Sequence, residues 1–112
     1  MKLQFKNYNL KLDKVEKKFL IQYCKQTLNQ LPQKQEYAQV FRIFDSILNK
    51  LNSAAPDEEI KLTKDEFTKF EYTLKENLKH LKIDLKKAGF FKRFFLKPVI
   101  KQYEGIIQKH FK

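Results

Sequence analysis

The sequence predicts a mainly α domain, a compact four-helix, bundle-like arrangement edged by a small β-hairpin or short edge strands. Three observations carry that reading. Apolar residues recur at three- and four-residue spacing through four segments. Two of those segments open on a capping signature. Strict apolar–polar alternation, the mark of a strand, is confined to a few residues at three places. At 112 residues the chain is expected to form one domain, 1–112, and its 42% hydrophobic content is enough for a packed core.

Each element has its own warrant. Leu3 and Phe5 alternate with polar neighbours, Leu10 and Leu12 do so again, and "KNYN" between them can turn a hairpin. Asp13, with Glu16 three residues on, caps a first helix. Its apolar face is expected to carry Val15, Phe19, Leu20, Tyr23, Cys24, Leu28 and Leu31, and Pro32 ends it. A second helix over roughly Gln33 to Leu51 presents Tyr37, Val40, Phe41, Phe44, Ile47, Leu48 and Leu51, and "NSAAPDEE" follows as the main loop. Ile60 and Leu62 alternate around Lys61, and Thr63 with Glu66 caps a third helix bearing Phe67, Phe70, Leu74, Leu78, Leu81 and Leu85. Gly89 suits a left-handed stop for it. Pro98 suits the first turn of a final helix lined by Val99, Ile100, Tyr103, Ile106, Ile107 and Phe111.

The two capped segments resemble each other. An ungapped overlay sets Lys11 on Lys61, Leu12 on Leu62, Lys14 on Lys64, Glu16 on Glu66, Lys25 on Lys75, Leu28 on Leu78 and Leu31 on Leu81. The halves 1–52 and 57–112 would each be a strand, a capped helix and a second helix. Both an internal duplication and the shared grammar of Lys- and Leu-rich helices produce such a match.

Reactive chemistry is not expected. Cys24, His80 and His110 are far apart and form no metal-ligand motif, so no metal ion and no cofactor is implied. Cys24 falls on an apolar helix face, where a buried structural thiol is the ordinary reading. Ser46 and Ser53 lack the setting of a nucleophile, and two glycines cannot build a phosphate cradle. Asp57, Glu58 and Glu59 read as solvated loop charge. The sequence therefore argues against an enzyme. A lone cysteine, an N-terminus without an apolar signal core and the lack of a long apolar run make a soluble, cytoplasmic protein the expectation.

Charge is the strongest functional signal. The chain holds 24 basic against 13 acidic residues, a net +11, and that field favours anionic partners. Only Arg42 and Arg93 are arginines. Lysine is a mobile point charge rather than a planar fork, so attraction is expected more than sequence reading. AT-rich coding bias also enriches lysine, and composition does not separate the two causes. From Lys79 onward, however, only Asp84 and Glu104 oppose the cations, and this last third carries more than half of the net charge. Lys86, Lys87, Lys92, Arg93, Lys97 and Lys101 are the candidate contact residues.

Within that region "AGFFKRFFLKP" places Phe90, Phe91, Phe94 and Phe95 around Lys92 and Arg93. The rings share one helical side, and the economical reading buries them as a cap on the core with the cations outward. The same residues also suit a basic amphipathic membrane anchor, a base-stacking surface or a groove for another protein. The leading expectation is a small binding protein, in character like an accessory or inhibitor of a phage or mobile element, that engages nucleic acid or a nucleoprotein complex through its Lys-rich C-terminal face. The alternatives are an inhibitor or adaptor docking an acidic protein surface, and a peripheral protein of anionic membranes resembling helical bacteriocin-immunity proteins.

Overall fold

The computed structural model describes residues 8–111. The first half of the expected hairpin, Leu3 and Phe5, lies outside them. The described residues are mainly helical: strand β1 (Asn9–Leu10), helix α1 (Lys14–Gln30), a 3-10 turn (Gln35–Tyr37), α2 (Ala38–Ser53), β2 (Ile60–Lys61), α3 (Lys64–Lys87) and α4 (Phe90–His110). Four helices and a small antiparallel sheet are thus the architecture that the periodicity predicts. The chain divides into two compact units, with the boundary after Phe67, inside α3.

In the first unit the sheet joins distant segments: Asn9 pairs with Lys61 and Leu10 with Ile60, antiparallel. Leu10 and Ile60 are also equivalent positions in the overlay of the two capped segments. Burial follows the same correspondence. Leu10 and Ile60, Leu12 and Leu62, Leu20 and Phe70, Cys24 and Leu74 are all buried.

Both capping boxes form. The Asp13 N–H donates to Glu16 Oε1 at 3.0 Å and the Glu16 N–H to Asp13 Oδ1 at 2.7 Å. The Thr63 N–H donates to Glu66 Oε1 at 2.8 Å and the Glu66 N–H to Thr63 Oγ1 at 3.1 Å. Helix α1 ends at Gln30, one residue past which Leu31 turns extended ahead of Pro32. Helices α1 and α2 run antiparallel: Tyr23 meets Phe44 edge-on at 6.2 Å, and Lys17 Nζ near the start of α1 donates to the Ala54 carbonyl past the end of α2 at 2.6 Å. Val15, expected inside, is 65% exposed. It stands about 180° round the helix from buried Cys24, at about 100° per residue.

Glu66 does more than cap. It is buried, and Ser46 Oγ and Lys50 Nζ on α2 each donate to its carboxylate at 2.5 Å. Burial pushes its pKa up, but the bonds from Lys50, Ser46 and the Thr63 N–H outweigh burial and hold it below the ordinary glutamate value.

In the second unit α3 and α4 also run antiparallel. Phe70 meets Phe111 edge-on at 5.6 Å, Asn77 Nδ2 donates to the Tyr103 hydroxyl at 3.1 Å, and Lys82 pairs with Glu104 at 3.3 Å. Ile100, Tyr103, Ile106 and Phe111 are buried. Two expectations about this region are corrected. Gly89 is no left-handed stop: its φ of −72° and ψ of 177° are extended, and it is the N-cap of α4. Pro98 does not open the final helix but lies inside it, because the Phe-rich segment and the C-terminal segment form one helix from Phe90. A proline there withholds the N–H that the Phe94 carbonyl would accept.

Glu66 sets a testable acid limb. A depressed folded pKa means that its contribution is present above the unfolded value of about 4.3 and is lost as pH falls through the folded value. Glu66→Gln should cost about 1–3 kcal/mol near neutral pH by weakening the bonds to Ser46 and Lys50. Urea unfolding at pH 7 and again near pH 3 should show the gap to the unaltered chain shrinking on acidification.

Candidate functional site

The six candidate cations lie on consecutive elements of the second unit. Lys86 and Lys87 form the last turn of α3, and Ala88 and Gly89 link it to α4. Lys92, Arg93, Lys97 and Lys101 follow along α4, with Arg93, Lys97 and Lys101 four residues apart in one row. All six are exposed, and among the described residues none is in an ion pair. Lys82 differs, since Glu104 partners it. The first turn of α4 holds no acidic residue and no side chain caps it, so the positive end of the helix dipole adds to the cations around it.

The phenylalanines overturn the economical expectation. Phe90, Phe91, Phe94 and Phe95 are 82%, 79%, 71% and 70% exposed, so the rings do not cap the core. The reason is helical geometry. At about 100° per residue, Phe90, Phe94, Pro98, Phe91 and Phe95 form one stripe, and Ile100 and Tyr103 fall on roughly the opposite side. The latter pair is buried. Because the two segments are one helix, burying the second face turns the first outward.

Local geometry joins rings to charges. Phe90 and Phe91 meet edge-on with centroids 5.7 Å apart and planes at 81°, and Phe94 and Phe95 do so at 5.9 Å and 86°. Phe90, Arg93, Phe94, Lys97 and Pro98 line one cleft of about 510 Å³. Arg93 and Lys97 thus edge the aromatic stripe on one flank, Lys92 edges it on the other, and Lys101 falls in line with Phe90 and Phe94 three turns along the helix. The site is an apolar strip with a cationic rim.

Cys24 is buried, and burial pushes its thiol up to about 12, so it stays protonated near neutral pH. Among the described residues no group of three or more His, Cys, Asp and Glu is placed to hold a metal ion. No helix there is long and apolar enough to cross a membrane. Comparison of the chain with family models, with curated proteins and with solved structures finds no match.

Exposure of the rings makes a stability prediction. Serine at any one of Phe90, Phe91, Phe94 or Phe95 should change unfolding free energy by only about 0.5 kcal/mol, as for other surface positions. Ile100→Ala should cost about 2–5 kcal/mol. Comparable losses at both sets in chemical denaturation would mean that the rings are part of the core.

Proposed function

We propose that this is a non-enzymatic binding protein that engages a phosphate-bearing polyanion through the cationic face from Lys86 to Lys101. One observation carries the reading: six cations on the end of α3 and the start of α4 are exposed, and no described acidic side chain pairs with them. Cations neutralised within the fold would be spent on structure, as Lys50 is on Glu66. These six keep their charge for an external partner. Lysine contacts phosphate as a point charge without demanding a fixed geometry, which suits attraction to a repeating anion. On charge alone, nucleic acid or a nucleoprotein complex is the first partner of that chemistry to try.

Fluorescence anisotropy with labelled single- and double-stranded DNA and RNA, alongside anionic vesicles, tests the reading across a salt series. Binding should weaken steeply with salt as counterions are released. Replacing Lys92, Arg93 and Lys97 together by Gln should lower the log–log slope on nucleic acid by about 2–3 and weaken binding at least about tenfold. Unchanged slope and affinity would place the contacts elsewhere. Failure to bind any of these polyanions would remove the reading and turn the search to an acidic protein surface.

A further inference from the structure

We infer that the polyanion is the surface of an anionic lipid bilayer, with the four phenylalanines of α4 entering its interfacial layer while the flanking cations meet the lipid phosphates. This rests on the polyanion reading above and names the partner. Charge alone does not choose between nucleic acid and lipid, because both offer phosphates. The rings choose.

Four contiguous Phe side chains, each at least 70% exposed, form an apolar surface that water solvates poorly. Phosphate neutralisation has no use for it, whereas partition into a bilayer interface combines buried apolar area with attraction of basic residues to anionic lipid. Exposed Pro98 lies in the same stripe.

Ring orientation argues in the same direction. A strand of bases needs aromatic faces presented in succession. Here each adjacent pair is nearly perpendicular, at 81° and 86°, so one ring of each pair turns its edge where the other turns its face. An acyl–headgroup boundary takes rings at any angle, because what it gains is area.

The flanks fit a helix lying flat. Ile100 and Tyr103 hold the opposite side of α4 in the protein, so the stripe faces outward along the helix rather than from its tip. Lys92 on one edge and Arg93 and Lys97 on the other can bend their long stems toward the headgroups while the rings go deeper. The stripe occupies little more than the first two turns of α4, which is a depth for anchoring and not for spanning.

The test is co-flotation of the full chain with vesicles of phosphatidylcholine alone and of phosphatidylcholine with phosphatidylserine, at about physiological salt. Two variants accompany it: Phe91→Ser with Phe95→Ser, and Lys92, Arg93 and Lys97 each to Gln. Circular dichroism first establishes that both remain folded. The unaltered chain should float with the anionic vesicles and not with the neutral ones. The Phe variant should bind them at least about tenfold more weakly, yet keep the salt-dependent affinity for DNA that its cations supply. The cation variant should lose both. Binding to DNA without flotation would overturn the bilayer assignment and leave the polyanion reading standing. Flotation that the Phe variant retains in full would overturn the insertion of the rings. Loss of all binding, to DNA and to vesicles alike, would remove both proposals.

Discussion

A helix can bury one face, and α4 carries two apolar ones. Ile100 and Tyr103 go inward, with Phe111 closing on Phe70 just beyond the helix end. Continuity of the backbone from Phe90 to His110 then fixes where the four phenylalanines go. Their exposure is not a packing defect but a consequence of helical periodicity, since no rotation of one rigid helix buries two opposite stripes in a single neighbour. Three of the cations follow from the same geometry. Lys92, Arg93 and Lys97 occupy positions between the two apolar faces, at the rim of the exposed stripe, and this is why charge and apolar area arrive at one surface together.

The first unit is organised differently, around a polar node. Glu66 closes the cap of α3 and also accepts from Ser46 and Lys50 on α2. A carboxylate is costly to bury unless its oxygens are fully partnered, and here both are. The node ties the end of α2 to the start of α3, while the Leu10–Ile60 pair ties the segment before α1 to the segment before α3. Capping, pairing and burial therefore converge on the same short stretch, Ile60 to Glu66.

Much of this is legible in the residues. Asp13 with Glu16 and Thr63 with Glu66 announce helix starts because the cap chemistry is local. Pro32 announces an end for the same reason, and the run of cations after Lys79 needs no tertiary information to be seen. What is not legible is direction. Periodicity shows that Phe90, Phe91, Phe94 and Phe95 share a side, but inward or outward depends on which face of the whole helix wins, and that requires knowing that Pro98 lies inside it. A proline read as the start of a helix and a glycine read as the stop of another separate the knot from its competitor, and the rings then look like core. The bonds from Ser46 and Lys50 to Glu66 were likewise invisible. Their i, i+4 spacing places them together on α2, yet nothing local says that a buried carboxylate will meet them.

On this reading the aromatic stripe of α4 faces water in the free protein and leaves it on an anionic bilayer. Tryptophan fluorescence distinguishes the two states, because the chain contains no tryptophan and Phe94→Trp supplies one reporter within the stripe. Emission in the free protein should be typical of a water-exposed indole. On vesicles containing phosphatidylserine it should shift to the blue and be quenched by brominated lipid, with no change on phosphatidylcholine alone. Blue-shifted emission already in the free protein would mean that the stripe is buried, and exposed emission unaltered by anionic vesicles would mean that the stripe does not enter them.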